Sequence, residues 1–104
     1  MKFLFRYTAR FMKSAAAIFS EDDLLALEIY LANHSDAGDV ISGGGGLRKL
    51  RFGAKGRGKR GGARVIYLRV VDQSLIVLAD CYAKNAKENL SGSDLEALDR
   101  ESHD

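Results

Sequence analysis

Residues 47–71 read LRKLRFGAKGRGKRGGARVIYLRVV, and the residues after the glycines decide the fold. Two phosphate-binding patterns lie inside this stretch. Gly56-x-Gly58-x-x-Gly61 fits the dinucleotide fingerprint, and Gly53-x-x-x-x-Gly58-Lys59 fits a P-loop up to its last position. Both patterns need a helix after the glycines, with its N-terminus turned to the phosphate. Here the glycines lead into Val65, Ile66, Tyr67, Val70 and Val71, which favour a strand. Arg60 occupies the position where a P-loop needs Ser or Thr to hold magnesium. Asp80 lies near the spacing of a ribose-binding acid, but at the end of an antiparallel strand. Before the glycines, Lys49 and Arg51 alternate with Leu50 and Phe52, the period-two pattern of a half-buried strand with a basic open face. The stretch therefore predicts a β-hairpin in which Arg51 and Arg64 are adjacent shoulders. Its Gly-rich connection, residues 54–62, carries Lys55, Arg57, Lys59 and Arg60.

Working outward, Asp72-Gln73 is a tight turn, and SLIVLADCY (74–82) is so continuously apolar that it reads as a sheet centre buried on both faces. A last helix starts at Ser91 or Ser93 and carries Leu95 and Leu98. Upstream, KFLFRY (2–7) suits a strand and Thr8 a helix cap, with Phe11, Ala15, Ile18 and Phe19 on one helical face. Ser20 followed by Glu21, Asp22 and Asp23 starts a second helix, striped by Leu24, Leu27 and Leu31 and ending near Asn33-His34. Residues 35–46 form a long turn. Helices segregated from a three-stranded meander predict an α+β fold with an antiparallel sheet, not a βαβ unit.

With 104 residues and 46% hydrophobic content, the chain suits one domain spanning residues 1–104. Its net charge of +2 hides a polarised distribution. Residues 40–71 hold nine of the 16 Lys and Arg and none of the 14 Asp and Glu, so the remainder carries a net −7. An uncompensated basic block points to a polyanion, most often nucleic acid. The single cysteine, Cys81, cannot form an internal disulfide, which fits a reducing cytoplasm. Its place at the end of an apolar strand makes it a buried structural thiol. His34 and His103 fall at a helix end and in the tail, away from any nucleophile. Arg6, Arg10 and Lys13 interrupt the N-terminal apolar runs before they reach signal-peptide length. No run approaches the ~20 apolar residues of a membrane span. No Asp, Glu or His cluster has metal-ligand spacing, and no cofactor is expected.

The run GDVISGGGGLRKLRFGAKGRGKRGGARVIYL (38–68), with CYAKNAKENLSGSDLEAL (81–98), resembles the RelE/HigB-type toxins of the RelE/ParE superfamily. The N-terminal strand and the SEDDLLAL helix fit the same family. The resemblance implies a RelE-like fold, with an N-terminal strand and two helices packed on a curved antiparallel sheet, and a C-terminal helix. It implies a toxin of a type II toxin–antitoxin system: an endoribonuclease that cuts mRNA in the ribosomal A site. It also implies neutralisation by a cognate antitoxin, often a helix-turn-helix protein. Lys49 and Arg51 match strand cations beside the scissile phosphate, Arg64 matches the family's characteristic arginine, and Tyr82, Lys84 and Asn85 match its YAKN segment. Some members have an arginine near the position of Asn85 and a later tyrosine, both missing here. Ser42 and Gly92 stand where relatives often have proline, and this chain has none.

A metal-free ribonuclease must align the 2′-OH, remove its proton, stabilise the phosphorane and protonate the leaving oxygen. Arg64 suits charge stabilisation because a guanidinium forks onto two phosphate oxygens. Lys49 and Lys84 are alternative bases, since crowding by like charges favours a neutral amine. Tyr82 suits base stacking or proton transfer. Arg48, Lys55, Arg57, Lys59, Arg60 and Asn85 suit grip on the RNA backbone. Two other readings use the same basic hairpin: a non-enzymatic nucleic-acid-binding module, and a ParE-like poison of gyrase.

Overall fold

The computed structural model of the chain describes residues 2–53, 62–83 and 90–103. Strand β1 (Leu4–Tyr7) leads through Thr8 into helix α1 (Ala9–Ala16), and Ser20 opens helix α2 (Glu21–Asn33). Both helix starts are set by their caps. Thr8 Oγ accepts the amide of Phe11, and Ser20 with Asp23 closes a reciprocal capping box. A two-residue strand β2 (Asp39–Val40) precedes β3 (Arg48–Phe52), β4 (Ala63–Val70) and β5 (Leu75–Ala83), and α3 (Gly92–Ser102) comes last. Ser91 caps α3 with a second capping box, through Asp94. His34 is the C-cap of α2, a polar helix end as the sequence implies.

The five strands lie in the order β1-β5-β4-β3-β2. The meander from β2 to β5 is antiparallel, and β1 joins the outer side of β5 in parallel, so the sheet is mixed. The α+β class and the segregated helices stand as the pattern implies. The parallel edge arises because α1 and α2 carry the chain away over one face before it returns as β2 and β3.

Alternation along the strands divides the core in two. Leu50, Val65, Tyr67, Ile76, Leu78 and Cys81 face α1 and α2, where they meet Phe11, Leu27 and Leu31. Leu47, Ile66, Leu68, Val77, Ala79 and Tyr82 face the other way and are covered in part by Leu95 and Leu98 of α3. Strand β5 is therefore buried on both sides from Ile76 to Tyr82, as its unbroken apolar run requires. Helix α3 is tied down at its far end: Arg10 pairs with Glu101 through two hydrogen bonds of 2.9 and 2.8 Å, and Arg6 donates to the carbonyl of Ser102.

Candidate nucleic-acid interface

Three strands set the site. Strand register places Arg51 opposite Arg64, and Arg64 opposite Tyr82. Arg51 alternates with Leu50 and Phe52, Arg64 with Ala63 and Val65, and all four apolar neighbours pack toward α1 and α2. Arg51, Arg64 and Tyr82 therefore form one row across β3, β4 and β5 on the opposite face. Lys49 shares that face two residues along β3, opposite Ile66. Exposure falls across the row: Arg51 is exposed, Arg64 half-buried and Tyr82 buried.

The row's existence depends on an irregularity in β5. From the turn to Tyr67, β4 and β5 pair in one register, with Val70 opposite Leu75 and Tyr67 opposite Leu78. The register then slips, Ile66 faces Asp80, and Ala79 is left as the extra residue on β5. Had the first register continued, Arg64 would stand opposite Cys81, and Tyr82 would turn toward the α1 face. The slip brings Tyr82 beside Arg64 instead.

Burial sets the electrostatics. Among the described residues, none of Arg48, Lys49, Arg51 or Arg64 forms a salt bridge. Nη1 of Arg64 is buried and has no hydrogen-bond partner among them. Burial raises the Tyr82 hydroxyl above the usual tyrosine range, with Arg64 pulling it down and Asp80 pushing it up. Its proton is therefore held at neutral pH. Burial pushes the Cys81 thiol up to about 12, so this buried cysteine is an inert structural thiol, as its strand position suggests.

Arg48 stands apart from the row. It lies on the α2 side of β3, where its Nη1 donates to the carbonyls of Asp36 (3.1 Å) and Gly38 (2.8 Å). Its cross-strand partner Tyr67 ties down the same loop, donating to Ser35 O (2.8 Å) and accepting from Gly38 N (2.9 Å). The guanidinium thus fastens the approach to β2. Lys55, Arg57, Lys59 and Arg60, along with Lys84 and Asn85, lie outside the described residues. Sequence reasoning passed over Asp80 as a site neighbour. The available signal was an acid inside the apolar run SLIVLADCY. Among the described residues no group of three or more His, Cys, Asp and Glu side chains gathers as a metal site, and no helix is long and apolar enough to cross a membrane.

The architecture is shared with a solved structure, a free-state mutant of the E. coli toxin RelE with two arginines replaced by alanine. The two agree with a TM-score of 0.62 over 99% of this chain and 96% of that one. At 13% identity, this is a likeness of fold. The sequence itself matches, over residues 3–103, the family described as the RelE toxin of the RelE/RelB toxin–antitoxin system. The chain belongs to the RelE toxin family and is the toxin partner in a toxin–antitoxin pair.

Proposed function

We propose that this toxin is a metal-independent, ribosome-dependent endoribonuclease that cuts mRNA in the ribosomal A site. The observation that carries the reading is the row of Arg51, Arg64 and Tyr82 on one sheet face, with Lys49 beside it. RNA supplies its own nucleophile, so the protein's task is alignment, charge stabilisation and proton transfer. Lys49 takes the 2′-OH proton, a task it shares as a candidate with Lys84. The freed oxygen attacks the adjacent phosphorus. Arg64 holds two non-bridging oxygens as negative charge builds on them, and Arg51 grips the neighbouring phosphate. The bond to the 5′ oxygen breaks, and Tyr82 gives that oxygen its proton. The products are a 2′,3′-cyclic phosphate and a 5′-OH. Two features support these roles: the Tyr82 hydroxyl retains its proton, and a buried Arg64 donor has no partner among the described residues, where a phosphate oxygen would supply one.

The loop cations Lys55, Arg57, Lys59 and Arg60, with Asn85, extend the grip along the RNA backbone in this reading. The antitoxin is a helix-turn-helix protein with an acidic segment that covers the basic face, and the toxin acts in the cytoplasm. Induction of the chain in cells tests the reading. Growth arrest with transcripts bearing new 5′-OH ends is the expected result. Arrest with intact mRNA and an induced DNA-damage response selects gyrase poisoning instead.

A further inference from the structure

The slip in β5 is held by side chains at the start of α1 and along it. Thr8 Oγ donates to the carbonyl of Ala79 at 2.9 Å while capping α1, and Thr8 N donates to the carbonyl of Leu78 at 3.1 Å. Ser14, further along α1, donates to Asp80 Oδ1 at 2.9 Å. The same Oδ1 accepts the amide of Cys81 at 2.8 Å. Thr8 and Asp80 are both buried. The two residues that share the slip, Ala79 and Asp80, are thus each fastened to one helix, and the backbone immediately after them is fastened to Asp80.

A buried carboxylate in an apolar strand is costly unless its hydrogen bonds are met. Here they are met by groups that also fix where the extra residue sits. A β5 that did not bulge at Ala79 would run on in the first register and set Cys81 opposite Arg64. We propose that Thr8, Ser14 and Asp80 form a clamp of positioning residues for the proposed cleavage, holding Ala79 as the extra residue so that Tyr82 stands beside Arg64. The proposal rests on the reading of the row as the mRNA-cleaving site. None of the three touches the row's cations on β3. The clamp therefore acts on the alignment of Tyr82 with Arg64 and leaves the grip of Arg51 and the other basic side chains on RNA unchanged.

The test compares the full chain with Asp80→Ala, Asp80→Asn and Ser14→Ala, using two readouts. One is cross-strand NOE contacts from Arg64 to Tyr82 or to Cys81. The other is kcat and KM for mRNA on programmed ribosomes. Asp80→Ala is expected to weaken the Arg64–Tyr82 contacts and lower kcat by about tenfold to hundredfold, the usual cost of a small misplacement, with KM unchanged. Asp80→Asn keeps an acceptor oxygen in place and retains both pairing and rate. Ser14→Ala loses one bond on a half-exposed side chain, so it keeps the fold even if Asp80→Ala does not, and it lowers kcat in the same direction by less. Unchanged pairing in both Asp80→Ala and Ser14→Ala overturns the clamp, and so does altered pairing with the parental kcat. If the parent chain leaves the mRNA intact, the cleavage reading fails and takes the clamp's catalytic role with it. The NOE contacts then still decide whether the clamp sets the register.

Discussion

Arg64 stands between Arg51 and Tyr82 on three neighbouring strands, which makes it the side chain on which the proposed chemistry depends most. A guanidinium supplies two parallel donors in a fixed plane, and a lysine supplies a point charge. Arg64→Lys should therefore keep RNA affinity within a few-fold, yet lower kcat by roughly 10²-fold or more, as the loss of a transition-state donor does. A rate within threefold of the parent in a ribosome-programmed cleavage assay contradicts the bidentate role. Tyr82 makes a different prediction. Its hydroxyl titrates above the usual tyrosine range because it is buried, so as a proton donor it stays competent from acid through neutral pH. It is lost only as pH rises past the usual tyrosine range. Tyr82→Phe should lower kcat by about 10²-fold or more across pH 6–9 without altering the shape of the profile. An alkaline limb in that window that vanishes with the hydroxyl would show Tyr82 titrating where burial forbids it.

The strands and helices were legible because each is written in local chemistry. Alternating Lys49, Leu50, Arg51 and Phe52 marked β3 and its basic face, Thr8 and Ser20 marked two helix starts, and Ser91 was one of two candidates for the third. Local chemistry does not carry the pairing between distant segments. The parallel docking of β1 on β5 joins residues some seventy positions apart, and the two-residue β2 has too little pattern of its own. The slip at Ala79 was equally hidden, since an apolar run looks the same in either register. For that reason Arg51 and Arg64 could be paired from the hairpin, but Tyr82 could not be set beside Arg64. Glycine placement offers a test at this scale. Gly43 (φ +73°) and Gly45 (φ +64°) both adopt left-handed backbone in the loop before β3. A Cβ on Gly43 meets open space, whereas one on Gly45 would lie 2.7 Å from Asp99 Oδ1 of α3. Gly43→Ala should cost on the order of 1–3 kcal/mol through backbone strain alone. Gly45→Ala should cost somewhat more, because the half-exposed Asp99 carboxylate must also swing aside from its 3.2 Å contact with His103. Urea unfolding measures both, and equal midpoints would mean that Asp99 yields without cost.

Across the molecule, charge is sorted by segment, with nine cations and no acid from residue 40 to 71 and a net −7 elsewhere. The fold turns that linear separation into a spatial one for Lys49, Arg51 and Arg64, which share the sheet face away from α1 and α2, while Arg48 is diverted to fasten a loop. Binding to single-stranded RNA should then weaken steeply with salt, and each phosphate contact removed should flatten the log–log slope by about 0.7. Arg51→Gln should show that change, and Arg48→Gln should leave the slope alone while lowering stability. A common effect of both on the slope would return Arg48 to the RNA-binding set. The central claim, that the row on β3, β4 and β5 cuts RNA, is tested most directly with purified chain, ribosomes and a programmed mRNA. The expected result is a single cut in the A-site codon, leaving a 2′,3′-cyclic phosphate and a 5′-OH, and no cut with Arg64→Ala. Intact mRNA with the parent chain, or equal cleavage by Arg64→Ala, would contradict it.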